Sequence, residues 1–323
     1  MQSSEDARWL AAAAALAERA RPLSRPNPAV GAIIVRGGKV VGRGWTMPGG
    51  RPHAEAIALA QAGEVARGAT LYVTLEPCAH KSERGPACAD LVLEAGVGRV
   101  VAGVEDPDPR TAGSGLTRLR EAGIEVSCAA DERSGMSLRG YIRAKTTGHP
   151  ETSLKLAMTA DGFIARPDGA SKWITGEPAR AHAHRERARA DAILVGGGTL
   201  RADQPSLDVR LPGLEDRSPQ RLVLTRGDAP AGWTAIASPA EIAGLGLQYL
   251  LVEGGADAAE AFLAADLVDR LLLYRSPTEF GDGTPAFRDP GPAGVPEGWR
   301  LADRRQLGSD TLEVYYPDKS ERA

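Results

Sequence analysis

The chain has 323 residues, 42% of them hydrophobic, and a formal net charge of −3. That length is a prior for two domains with a packed core each, and a near-balanced charge without a long Lys/Arg run lacks the basic footprint of a nucleic-acid binder. The Ala-rich run at 11–17 is broken by Glu18 and Arg19 and has no basic start, and three cysteines cannot build a disulfide framework, so a cytoplasmic protein without a membrane span or signal peptide is expected.

Asp6 is placed to cap a first helix reaching about Arg21, after which Pro22, Pro26 and Pro28 enforce a loop. Val30 to Val35 and Lys39 to Trp45 flank Gly37-Gly38 as a hairpin. A helix is expected from His53 to its stop at Gly63, a strand from Thr70 to Thr74, and a helix opened by Pro86 and Cys88 and running to Gly96. A strand at Arg99 to Val104, a helix at Leu116 to Ala122 and a strand at Ile124 to Val126 follow, with Cys128 read as a small buried hydrophobe. This is a three-layer α/β pattern.

The polar, punctuated stretch around 144–152 marks a boundary, giving domains at 1–147 and 148–323. Beyond it, β-rich signals restart at Ser153, and strands are expected at Ala192–Val195, Arg221–Leu224, Tyr249–Val252, Leu271–Tyr274 and Leu312–Tyr316, with a helix from about Pro178 to Arg189. The Pro/Gly-rich stretch 285–296 reads as a loop. Glycine clusters at 196–198 and 254–255 each follow a strand; such turns suit a phosphate, although many exist for geometry alone.

The chemistry concentrates in His53-Ala-Glu55, Glu76-Pro-Cys78 and Cys88. One imidazole and two thiolates make three zinc ligands and leave a fourth tetrahedral position for water, while Glu55, two residues from the first ligand, suits proton transfer. The pattern is that of a hydrolytic zinc deaminase. A closed structural site would need a fourth protein ligand, for which His80 is the nearby candidate. On these residues alone a nucleic-acid-editing deaminase with an accessory domain and a zinc-stabilised binding module also stay open.

In order and spacing, Pro26-Asn27-Pro28-x-Val30-Gly31, Pro52-His53-Ala54-Glu55, Leu75-Glu76-Pro77-Cys78-x-His80 and Glu105-Asp106-Pro107 resemble the deaminase half of the bifunctional riboflavin-biosynthesis deaminase-reductases. Lys155-Leu-Ala-Met-Thr-Ala-Asp161-Gly162, Ser171-Lys-Trp173-Ile-Thr175, Asp203-Gln-Pro205-x-Leu207 with Arg210, and Glu253-Gly-Gly resemble their reductase half. The resemblance implies an α/β chain: a cytidine-deaminase-like three-layer sandwich followed by a dihydrofolate-reductase-like α/β domain.

It further implies zinc-dependent deamination of a phosphorylated diaminopyrimidine and NADPH-dependent reduction of its ribosyl moiety, in a homodimer or higher homo-oligomer. By the same resemblance His53, Cys78 and Cys88 hold Zn2+ and Glu55 is the proton donor, with Asn27, His80 and Asp106 near the pyrimidine or its ribose phosphate. Ser171, Arg187, Leu207, Arg210 and Glu253 match substrate positions, and Ala157, Trp173, Thr199, Asp203 and Gly255 match cofactor positions. By its own chemistry Lys155 is a further substrate candidate, a cation for charge developing on an opened sugar, with a plain strand-face lysine as the alternative. The chain departs from the family pattern at Thr46, where histidine is usual, at Asp108 and Gln204, and at Arg226, where a small polar residue is typical. The loop between Cys78 and Cys88 is one residue longer than the resemblance suggests.

Overall fold

The computed structural model describes residues 3–80 and 83–318, which divide into two compact units, 1–148 and 149–323. In chain order the first unit contains α1 (Ser4–Ala17), β1 (Gly31–Arg36), β2 (Lys39–Trp45), α2 (Ala54–Ala62), β3 (Thr70–Leu75), α3 (Cys88–Glu94) and β4 (Arg99–Val104). It ends with α4 (Ser114–Glu121), β5 (Glu125–Cys128), α5 (Glu132–Ser137) and α6 (Arg139–Thr147).

The strands form one sheet in the order β2-β1-β3-β4-β5, antiparallel around β1 and parallel from β3 to β5. Alternation along β1 sends Ala32 and Ile34 into a cluster with Ala54 and Ala58 of α2 and Val92 of α3. Ile33 and Val35 face the other way, onto Trp9, Leu10 and Ala13 of α1. The sheet is covered on both faces, as a three-layer sandwich requires. Gly44 on β2 lets α2 approach closely, because a Cβ there would lie 2.4 Å from the Ala54 carbonyl oxygen.

Two local expectations are corrected. Ser3, not Asp6, caps α1, its Oγ accepting the Asp6 N–H at 3.0 Å, while the Asp6 carboxylate takes Arg99 through bonds of 2.8 and 3.0 Å. Cys128 is exposed: β5 is the edge strand and its residues are at most half-buried, so the thiol has no core to fill.

The second unit contains β6 (Glu151–Met158), β7 (Phe163–Ala165), α7 (Glu177–Arg187), β8 (Ala192–Gly196), α8 (Gly197–Asp203), β9 (Gln220–Leu224), β10 (Trp233–Ile236) and β11 (Tyr249–Glu253). It continues with α9 (Ala256–Ala264), β12 (Arg270–Arg275), β13 (Thr284–Pro285), β14 (Trp299–Leu307) and β15 (Asp310–Pro317). Eight strands run in the order β10-β9-β8-β11-β6-β12-β15-β14, parallel as far as β12 and antiparallel in the last two.

Leu194, Val252 and Leu154 pack on one face with Phe262 of α9, whereas Ile193, Leu251 and Leu272 pack on the other with Ala179 and Ala183 of α7. The stretch 285–296 is anchored by β13 and by buried Ala286, Phe287 and Val295. Because β8, β9 and β11 are parallel, their carboxyl ends deliver Gly196–Gly198, Thr225 and Glu253–Gly255 to one edge, where an open α/β sheet binds ligands. Among the described residues no helix is long and apolar enough to cross a membrane.

Candidate active sites

Each zinc-set residue of the first unit stands at the end of an element. His53 is the N-cap of α2, Glu55 lies in that helix's first turn, Cys78 follows β3 by three residues, and Cys88 is the first residue of α3. Their donor atoms all lie within 4.8 Å of one another. His53 Nδ1 is 3.2 Å from Cys88 Sγ and 3.6 Å from Cys78 Sγ. A tetrahedral zinc with bonds of about 2.0 Å to nitrogen and 2.3 Å to sulfur separates such donors by roughly 3.5 Å, so the set fits the ion.

His80 does not belong to this cluster among the described residues. Its Nδ1 faces Thr111 Oγ1 at 3.4 Å, leaving three protein ligands, which is the open, catalytic form of a zinc site. Burial pushes the Glu55 carboxyl above its ordinary range, against the pull of the nearby imidazole. Burial also acts to lower His53, but its hydrogen bond with Cys78 and the Glu55 charge outweigh it and leave the imidazole raised. The hydrogen bond from Cys88 holds the Cys78 thiol low.

A cavity of about 210 Å³ opens onto these groups, lined also by Asn27, His80 and Asp106. The Asn27 amide lies 2.9 Å from His53 Nε2 and donates to the Gly50 carbonyl at 2.9 Å. Asp106 accepts the Tyr141 hydroxyl at 2.8 Å and the Asp108 N–H at 2.9 Å, and burial raises its pKa. Asp108 is ion-paired with Arg110 at 2.6 Å and Lys145 at 2.9 Å, and the Arg110 guanidinium holds its carboxyl well below the usual range. Thr46, in place of a histidine, is buried and accepts the Val30 N–H at 3.0 Å, so it fixes backbone in the cavity wall.

Motif reading left Glu76 without a role. Its carboxylate accepts four backbone N–H groups, from Asp106, Gly113, Gly115 and Leu116, at 2.8 to 3.2 Å. This ties the residue before Pro77-Cys78 to the start of α4. The approach is tight: a Cβ on Gly115 would lie 1.9 Å from the Pro77 carbonyl oxygen. Tyr141, Arg110 and Lys145 were also missed, since only folding brings them to the cavity.

In the second unit Glu253, at the end of β11, is buried beside Lys155 on β6, with Lys155 Nζ 3.6 Å from Oε2. Arg187 Nε and Nη2 donate to the Glu253 carboxylate at 2.7 and 2.8 Å, and Nη1 donates to the Asp208 carbonyl at 3.1 Å. The Arg187 guanidinium, matched by the resemblance to a substrate position, is thus occupied by a carboxylate. Burial would raise Glu253, but Lys155 and Arg187 together bring it down to about 2.

Arg210 is 57% exposed, its backbone N–H bonded to His184 Nδ1 at 3.2 Å and its side chain 3.6 Å from Asp208. Leu207 is buried with a positive φ of 54°. Thr199, on α8, accepts the Gly255 N–H at 3.3 Å, which joins the two glycine turns; Asp203 ends the same helix, and Ala157 lies on β6. Gln204 is its left-handed C-cap, with φ 41°, a position that also favours asparagine. Ser171 and Trp173 are carried by the segment between β7 and α7, where Trp173 is 70% exposed under the Arg180 guanidinium at 4.8 Å rather than against the Glu253 cluster. Arg226 is exposed beyond β9.

Comparison with known proteins assigns the two units. The cytidine and deoxycytidylate deaminase zinc-binding region matches residues 3–104, and the RibD C-terminal domain matches 150–231 and 240–312. The riboflavin biosynthesis protein RibD of Haemophilus influenzae is 35% identical, over 98% of each chain. The chain belongs to the RibD family. The Escherichia coli member is 37% identical over 86% of this chain and 89% of its own.

Among solved structures, Acinetobacter baumannii RibD superposes with a TM-score of 0.87 at 34% identity, covering 97% of this chain and 99% of that one. A Thermotoga maritima diaminohydroxyphosphoribosylaminopyrimidine deaminase/5-amino-6-(5-phosphoribosylamino)uracil reductase gives a TM-score of 0.87 at 31% identity, covering 97% and 98%. Like other RibD proteins, the chain is a bifunctional enzyme of riboflavin biosynthesis, with a zinc-binding deaminase domain and a reductase domain that uses NADPH. The fold expected from the sequence, a cytidine-deaminase-like domain followed by a reductase domain, is borne out.

Proposed function

We propose that the first unit deaminates 2,5-diamino-6-(5-phosphoribosylamino)pyrimidin-4(3H)-one and that the second reduces the resulting 5-amino-6-(5-phosphoribosylamino)uracil to its ribitylamino product. The observation that carries the reading is a three-donor metal set beside a buried, non-ligating carboxylate, Glu55, at the floor of an open cavity. Zinc, when bound by His53, Cys78 and Cys88, lowers the pKa of a coordinated water to about 7.

Glu55 takes a proton as water adds to the amidine carbon and returns it to the departing amine, which leaves as ammonia. Its buried place in the first turn of α2, two residues from His53, suits both halves of that task. Asn27, His80 and Asp106 orient the pyrimidine and its ribose phosphate in the cavity.

In the second unit Ala157, Trp173, Thr199, Asp203 and Gly255 would hold NADPH, which would supply a hydride to the ribosyl carbon as its bond to the ring oxygen opens, leaving a methylene. The Thr199–Gly255 bond between the two glycine turns is the observation that fits this cofactor. Lys155 presents a cation to the charge that develops on the opened sugar, and Glu253 holds it there. Arg187 fixes Glu253, Ser171 and Leu207 shape the pocket, and the exposed Arg210 takes the substrate phosphate as a charge-assisted fork. The enzyme acts in the cytoplasm as a homodimer or higher homo-oligomer on phosphorylated pyrimidines, without nucleic acid or membrane partners; thiols at Cys78 and Cys88 suit a reducing compartment.

Chelation tests the separation of sites. One zinc per chain is expected, and its removal should abolish ammonia release while reduction of supplied deaminated intermediate continues. Loss of both activities in a folded, zinc-free protein would contradict two independent sites.

A further inference from the structure

Lys155 stands on the middle one of three strands, with Glu253 opposite it on β11 and, on β12, Tyr274 two residues beyond its partner Leu272. Alternation puts all of them on one face of the sheet, the face that packs against α7. The Lys155 ammonium lies 3.6 Å from the Glu253 carboxylate and, toward the other neighbouring strand, 5.7 Å from the centroid of the Tyr274 ring, within cation–π range. Among the described residues no acceptor lies within hydrogen-bond distance of Nζ, so its N–H groups remain available to a substrate. The ring itself is fixed. Tyr274 is buried, and its hydroxyl lies 2.8 Å from Nδ1 of His182 on α7. Burial raises the phenol well above its ordinary range and lowers the imidazole, so the phenol keeps its proton and donates it to a neutral ring. Glu186, one turn further along α7, pairs with Arg270 and leaves His182 to the phenol. The same helix sends Arg187 to Glu253. It thus braces both walls around the lysine, the carboxylate through Arg187 and the aromatic ring through His182.

We propose that Tyr274 is a positioning residue of the reductase, its ring face holding the Lys155 ammonium beside Glu253 while His182 locks the ring in place. The proposal rests on Lys155 acting in ribosyl reduction. A second carboxylate in place of the ring would take one of the ammonium N–H groups and set another negative charge near Glu253, whereas an aromatic face attracts the cation without accepting a particular hydrogen. An aliphatic side chain would fill the space but leave the ammonium one attractive wall, free to swing about a carboxylate 3.6 Å away. A misplacement of about 1 Å at a reacting group slows the chemical step more than it empties the site, so the contribution of Tyr274 falls on kcat.

The test is steady-state reduction of supplied deaminated intermediate by the full chain, comparing Tyr274→Phe with proteins that carry mono-, di- and trifluorinated phenylalanine at position 274. Each fluorine weakens the negative face of the ring with little change of shape. Log kcat should therefore fall in equal steps with fluorine number, roughly 5- to 30-fold in total, while KM for NADPH and for the intermediate stays within about twofold. A side chain that only fills space gives no such trend. Tyr274→Phe should also keep more activity than Tyr274→Leu, because it keeps the ring face and loses only the bond to His182; should Tyr274→Leu not fold, the fluorine series decides alone. A flat series, a fall carried by KM, or a folded Tyr274→Leu as active as Tyr274→Phe overturns the assignment. Lys155→Met separates this inference from the reading beneath it. If that variant abolishes reduction while the fluorine series stays flat, the role of Tyr274 fails alone; if it reduces the intermediate at the wild-type rate, the role of Lys155 fails and this inference with it.

Discussion

Replacing Arg187 with methionine removes two charge-assisted hydrogen bonds, of 2.7 and 2.8 Å, from a carboxylate that stays buried. The drop of Glu253 from 4.5 to about 2 corresponds to about 3 kcal/mol of folding free energy. Since the folded-state pKa is depressed, that contribution is complete above the unfolded value near 4.5 and is lost as pH falls toward 2. Arg187 supplies two of the three largest influences that depress it, Lys155 the other. Arg187→Met should therefore cost about 3 kcal/mol or more at pH 7, in the range of about 3–5 kcal/mol for a broken buried pair.

The double variant Arg187→Met/Glu253→Gln should recover part of that loss, because a neutral amide no longer needs a counterion. Urea unfolding read by hydrogen exchange in peptides from 149–318 follows this unit without assuming that both units unfold together. The acid-side loss of stability between pH 4.5 and 2 should also shrink in the single variant. A cost below about 1 kcal/mol at pH 7, or a double variant no more stable than Arg187→Met, would refute the assignment of Glu253 as a carboxylate held by two cations.

Glu55→Gln should retain zinc and fold but reduce deamination roughly 10²- to 10⁴-fold; metal analysis beside ammonia assays checks this, and loss of the metal would make Glu55 a ligand instead. Gly115→Ala must push against the Pro77 carbonyl, so the deaminase unit should lose about 1–3 kcal/mol and release zinc more readily while reductase activity is kept. Equal zinc retention in chelator competition would show that the turn before Cys78 yields without effect. Arg210→Ala should raise KM for the phosphorylated intermediate about fivefold, the exposure of this side chain holding the effect near about 1 kcal/mol. An equal change with the dephosphorylated intermediate would reassign Arg210 to a structural role.

Groups whose spacing is local were the legible part of this chain. His53 and Glu55 share one helix start, and Cys78 and Cys88 bracket one loop, so ligand chemistry constrains them within a short segment. The three layers were legible because alternation in β1 sorts Ala32 and Ile34 from Ile33 and Val35. What folding alone brings together was not. Tyr141 reaches Asp106 across 35 positions and Arg187 reaches Glu253 across 66, and nothing local distinguishes a guanidinium awaiting phosphate from one already paired. Cys128 was misjudged because an edge strand keeps the apolar pattern of its neighbours without their burial.

The most direct test of the account is a two-stage assay with one purified protein. Given the phosphorylated diaminopyrimidine without NADPH, it should release one ammonia per substrate and accumulate 5-amino-6-(5-phosphoribosylamino)uracil. Adding NADPH should then consume one equivalent of cofactor and convert that intermediate to the ribitylamino product. Ammonia release that requires NADPH, or NADPH oxidation on the diamino substrate before any ammonia appears, would contradict a chain that carries deamination and reduction at separate sites in that order.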